Sequence, residues 1–117
     1  MSSELTKHLS KWEQMDAKQL RREIAVAMGL CDSTSTDEEI GSMSPDWGND
    51  FKAALRLKHN GVKLQYAFSV SKNVYLACWG DGMLLVQMGG TGALTLCRAW
   101  LEYEAYRVYH EQKLNAG

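Results

Sequence analysis

No apolar run in this 117-residue chain approaches the roughly 20 residues needed to cross a bilayer. Its opening stretch, MSSELTKHLSKWEQM, holds no uninterrupted apolar segment of signal-peptide length, so neither membrane insertion nor secretion is expected. An excess of charge of one sign is missing too. Thirteen basic residues against fourteen acidic ones leave a formal net charge of −1, which fits neither a strongly basic nucleic-acid binder nor an acidic DNA mimic. Cys31, Cys78 and Cys97 are an odd set without the close spacing of a metal or redox pair, as expected of free thiols in a reducing cytosol. His8, His59 and His110 form no HxH or HxxxH pattern, so neither a metal nor a cofactor is expected. Cys97 lies in an apolar helical stripe, a poor setting for a nucleophilic thiolate. With no catalytic signature in view, the chain reads as non-enzymatic.

What is present is an ordinary globular composition, 45% hydrophobic and 23% charged, in a length suited to one domain. Residues 1–14 read as an arm or short first helix, and residues 15–117 as the domain. Asp16 is a good N-cap, after which Leu20, Ile24, Ala27 and Met28 form an apolar stripe ending at Gly29. The hydroxyl-rich, acidic stretch 31–43 reads as a surface loop. Ser44, Pro45 and Asp46 then suit a helix start, with a helix running to about His59 and Trp47, Phe51, Ala54 and Leu55 along its buried side.

From Val62 the period falls to two, predicting a half-buried strand to Val70, followed by strands over Val74–Trp79 and Met83–Met88 joined by Gly80-Asp81-Gly82. The second and third of these are apolar on both faces and call for cover by helices or by a second subunit, so a homodimer is one expectation. After Gly89-Gly90-Thr91-Gly92 a long terminal helix is predicted, with Ala93, Leu96, Cys97, Trp100, Leu101 and Val108 on one stripe.

Three pieces in this order resemble the phage ABA-sandwich domain family of small bacteriophage and prophage proteins. They are the Leu20-to-Gly29 helix ending in AVAMG, the Pro45-Asp46-Trp47…Asp50 helix start, and the terminal ALTLCRAWL helix. The resemblance covers roughly Met15 to Tyr106. It implies an α+β, three-layer α/β/α sandwich, here with a three-stranded antiparallel meander and a long C-terminal helix. It also implies a setting in the cytoplasm of a bacterial host. The N-terminal residues and the glycine-rich approach to the last helix depart from the family pattern.

Two surfaces are candidates for binding. The first joins the acidic residues Asp37, Glu38 and Glu39 with Tyr103, Tyr106, Arg107 and Tyr109, residue types that anchor protein interfaces. With the resemblance, it suggests a protein that binds a host protein, in the manner of an anti-CRISPR-like antagonist of a bacterial defence. The second is a nucleic-acid or nucleotide site made of Lys52, Arg56, Lys58 and Lys63, or of Gly90 and Thr91 in the glycine turn. That turn lacks the Gly-Lys-Ser/Thr ending of a phosphate-binding loop, so its first reading is a plain connection with Thr91 as helix cap.

Overall fold

Asp16 and Gln19 open the first helix by exchanging bonds. The Asp16 carboxylate accepts from the Gln19 N–H at 2.9 Å, and the Gln19 amide oxygen accepts from the Asp16 N–H at 3.0 Å. Each satisfies a donor that a helix start leaves unpaired. In the computed structural model, which describes residues 12, 14–59, 62, 64–69, 74–79 and 91–116, this helix is α1, Ala17–Ala27. It buries Leu20, Ile24 and Ala25, and the chain leaves it through Gly29 at φ +77°, a left-handed position natural to glycine. Ala27 and Met28, expected on the buried stripe, are instead exposed.

The acidic stretch is a helix where a surface loop was expected. Helix α2 spans Asp37–Met43, with Thr36 as cap and Glu39 completing a second capping box. Three acids in its first turn complement the positive end of the helix dipole, and buried Ile40 anchors it. Ser44 closes α2 and opens nothing: its hydroxyl donates to the Ile40 carbonyl at 2.6 Å. Asp46 accepts from the Asn49 and Asp50 N–H groups in a turn, and Asp50 caps α3, Phe51–Leu55, by accepting from the Lys52 and Ala53 N–H groups. The helix expected from Pro45 to His59 is therefore shorter at both ends. Buried Trp47 fixes the turn before it, and Gly48 lies so close to Ala17 that a Cβ would stand 2.8 Å from the Ala17 Cα.

Strands β1, Leu64–Ser69, and β2, Val74–Trp79, pair antiparallel from Leu64 opposite Trp79 to Ser69 opposite Val74. Helix α4, Gly92–Ala116, follows with Thr91 as cap, its hydroxyl accepting from the Leu94 N–H at 3.2 Å. Ala93, Leu96, Cys97, Ala99, Trp100 and Leu101 of α4 are buried, whereas Val108 is exposed. The 25 residues of α4 reach about 37 Å at 1.5 Å per residue. The helix packs against β2, α1 and α3, and α2 packs on α1.

The three-layer α/β/α sandwich with a three-stranded meander is thus corrected. The described residues are mostly helical, and strand is confined to one antiparallel pair. Helix α4, and not a sheet, is the element that α1, α3 and the strand pair share. The reason is areal: Leu96, Cys97, Ala99, Trp100 and Leu101 give α4 a wide buried surface, and a two-stranded ribbon has little area to offer in its place. The predicted strand Met83–Met88 and the arm apart from Trp12 and Gln14 lie outside the described residues. Among the described residues no helix is long and apolar enough to cross a membrane.

Two arginines hold the helices in register. Arg98 of α4 donates to the carbonyls of Trp12 and Met15, both at 3.2 Å. Arg21 of α1 donates to the Ser44 hydroxyl at 3.1 Å, to the Gly41 carbonyl at 3.2 Å and to the Ser44 carbonyl.

Candidate functional site

The stretch after α3 brings His59 against α4, 41 positions later in sequence. The Trp100 indole N–H donates to the Lys58 carbonyl at 3.0 Å, and the His59 Nε2 lies 3.1 Å from the Trp100 carbonyl. A carbonyl only accepts, so Nε2 carries the proton of the neutral ring. The other nitrogen, Nδ1, faces the Glu104 carboxylate at 3.5 Å. The ring stacks on Trp100 with centroids 4.6 Å apart and planes 15° apart, and Tyr103 leans on it at 4.6 Å and 54°. At 8% exposure His59 is a core residue.

Burial is the largest influence on its proton affinity and pushes the pKa of His59 down, and the nearby Arg107 charge acts the same way. The bond to the Trp100 carbonyl and the Glu104 charge oppose them without prevailing. In the neutral ring the Nε2–H bond to the Trp100 carbonyl and the stacking on Trp100 fix its orientation, and Nδ1 is hemmed in by the Glu104 carboxylate, so the ring is poorly placed to act as a base on a substrate.

Around this pair lies an open cleft of about 470 Å³, lined by Met28, Lys58, His59, Trp100, Tyr103 and Arg107 among others. Its volume is that of a small-ligand or side-chain pocket. Glu104 holds Arg107 at 2.5 Å, and Glu111 holds it again at 2.8 Å. Hydrogen bonding to Glu104 is the first cause of the raised pKa of Arg107, whose guanidinium is thus fixed in direction at the cleft margin. Tyr106 stands 6.3 Å from Tyr103 by ring centroid and stacks on His110 at 5.1 Å. Tyr109 is half-buried on the same helix and outside the cleft lining.

The first candidate surface is therefore split. Tyr103 and Arg107 line the cleft and Tyr106 stands next to Tyr103 outside the lining, but Asp37, Glu38 and Glu39 lie on α2, which packs on α1. Asp37 pairs with Lys18 at 2.7 Å and Arg22 at 2.8 Å, and Glu39 is engaged in the capping box, so two of the three acids already serve the fold. The hydrogen bond from Lys18, then that from Arg22, holds the Asp37 carboxyl below its ordinary value.

For the second candidate surface, Lys52, Arg56 and Lys58 are exposed and have no ion-pair partner among the described residues. Lys63 and Gly90 lie outside the described residues, and Thr91 serves as the cap of α4. Among the described residues no three His, Cys, Asp or Glu side chains gather as a metal site would require. Burial pushes the Cys97 thiol up to about 12, far from a reactive thiolate.

Sequence reasoning missed His59, Trp100 and Lys58 as members of the cleft. No local pattern joins residues 41 positions apart, and the periodicity of α4 marked Trp100 only as core. Compared with known proteins, the chain matches no family model, no curated protein and no solved structure.

Proposed function

We propose that this protein is a non-enzymatic binding module that holds a protein partner with the cleft side of α4. The observation that carries this reading is the cleft where Tyr103 and a doubly anchored Arg107 flank the buried His59–Trp100 pair. A half-buried aromatic beside an arginine already held in direction loses little freedom on binding, which is the property of residues that dominate interface energy. The acidic residues Asp37 and Glu39 are occupied within the fold, so Tyr103, Tyr106 and Arg107 carry the proposal.

The proposed setting is the cytoplasm of a bacterial host, with the protein acting as a phage or prophage accessory factor on a host protein, as an anti-CRISPR-like antagonist does. Its support is the order of the three sequence pieces, two of which, residues 20–27 and 93–101, fall on α1 and α4. The test is a pull-down with tagged protein from bacterial lysate, with and without nuclease, repeated with Tyr106→Ala and Arg107→Ala. A stoichiometric protein that survives nuclease and is lost with both variants supports the reading. Retention of that protein by both variants removes α4 from it.

A further inference from the structure

Phe51 was expected on the buried side of its helix, but the structure turns it outward. It is 38% exposed, and its ring meets that of Tyr66, 53% exposed, edge-on with centroids 6.1 Å apart and planes at 77°. Single exposed apolar side chains are ordinary on a protein surface. Here two large rings from different elements, α3 and β1, touch and stay open to solvent. The helix that carries Phe51 also carries cations. Lys52 follows Phe51, and Arg56 comes four residues after Lys52, the spacing that places two side chains on one side of a helix. Neither cation is ion-paired among the described residues, and positions 51–80 contain no acid. The nearest carboxylate in sequence, Asp50, is turned to the Lys52 and Ala53 N–H groups, although its charge still tempers the local field.

We propose that this surface is a platform for single-stranded nucleic acid, with Phe51 and Tyr66 receiving unpaired bases and Lys52 and Arg56 holding the adjacent phosphates. Every base has a flat π face, so exposed rings beside cations bind a strand with little regard to sequence. In a duplex the bases are already stacked on one another and give these rings nothing to receive. An acidic peptide would use the cations and forgo the base stacking. None of Phe51, Lys52, Arg56 and Tyr66 lines the cleft, so this proposal and the protein-binding one are tested by different variants.

The test uses the full chain and a fluorescein-labelled oligothymidylate, followed by anisotropy at low salt. Binding is expected, with a duplex of equal length bound more weakly. The logarithm of affinity should fall against that of salt with a slope of about −1.4, at about −0.7 for each of two phosphates on a single strand. Tyr66→Ala should weaken binding about tenfold and leave the salt slope unchanged, the size of one lost base stack. Tyr66→Phe should bind normally, which separates loss of a ring from loss of fold, and circular dichroism of each variant checks the latter. Lys52→Gln with Arg56→Gln should flatten the slope. Tyr106→Ala should leave oligonucleotide binding intact even if it abolishes capture of a protein partner. The proposal is overturned if the oligothymidylate fails to bind, if the folded Tyr66→Ala variant binds as tightly as the parent, or if duplex is preferred. A short peptide alternating glutamate and phenylalanine that binds more tightly than the oligothymidylate overturns it as well.

Discussion

Between Thr36 and Met43 most of the charge is already in use, whereas between Lys52 and Lys58 it is not. Asp37 bridges to Lys18 and Arg22, and Glu39 reaches back to the Thr36 backbone. Lys52, Arg56 and Lys58 have no ion pair among the described residues, and Phe51, on the same stretch of chain, is exposed. The acidic run is the more conspicuous in sequence, yet its carboxylates start a helix and tie it to α1. The cations, spread over seven positions, are exposed and unmatched by any carboxylate among the described residues. Charge density in a sequence marks where charge is. Whether that charge is available depends on what the fold has already matched to it.

The sharpest way to break this contrast is at Gly48, in the turn between the two segments. A Cβ there would meet the Ala17 Cβ at 2.6 Å and its Cα at 2.8 Å, and a backbone atom cannot swing aside. Gly48→Ala should destabilise the protein by about 1–3 kcal/mol, the cost of overpacking a tight site, read from urea unfolding. An unchanged midpoint would mean that the turn does not hold the segments against α1. Thr36→Ala and Asp50→Ala should each cost about 1 kcal/mol, because each removes a helix cap. The first should leave anion binding unaltered, while the second removes a carboxylate beside the cations and should strengthen it. If both variants shift binding equally, the contrast between the segments fails.

Acid separates the regions as well. His59 has a lowered pKa in the fold, so below its ordinary value of about 6.5 the unfolded chain binds a proton that the folded chain resists. Its contribution is present above that value and is lost as the pH falls through the folded one. Asp37 follows the same direction further down, its contribution present above about 3.8 and lost below. Melting temperature measured against pH should show two steps. Asp37→Asn should shrink only the lower step, which Asp32 shares through its hydrogen bonds from Thr34 and Ser35, and His59→Gln should remove the upper, and a profile unchanged by His59→Gln would contradict the buried neutral ring. The smallest effect is expected from Lys58→Gln, an exposed cation without an ion pair, which should alter stability by no more than about 0.5 kcal/mol. A larger loss would show that this charge serves the fold after all.

Much of the helical content was legible. Asp16 as cap, Gly29 as the exit, β2 at Val74–Trp79 and α4 after Thr91 all follow from local rules. Helix α2 is readable too, since Thr36 followed three positions later by Glu39 is a capping-box pattern, although the hydroxyl-rich composition around it points to a loop. The choice between Ser44 and Asp50 as the next cap was not local. Both are good capping residues, and burial of Trp47 together with the Gly48–Ala17 contact decides that Asp50 starts α3. Of the cleft, residue type alone marks Tyr103 and Arg107 in the sequence, whereas His59 sits in no local pattern that would single it out.

Local pattern by itself determined where α1 begins and ends and where α4 begins, because caps, left-handed exits and hydrophobic spacing act over three to four residues. Only tertiary structure decided that α4, and not a sheet, is the shared surface of the core. The same holds for His59 meeting Trp100, for Phe51 turning out against Tyr66, and for the acids being matched while the cations are not. These are contacts between residues far apart in the chain, set by which surfaces bury most area together, and no short-range rule encodes that competition.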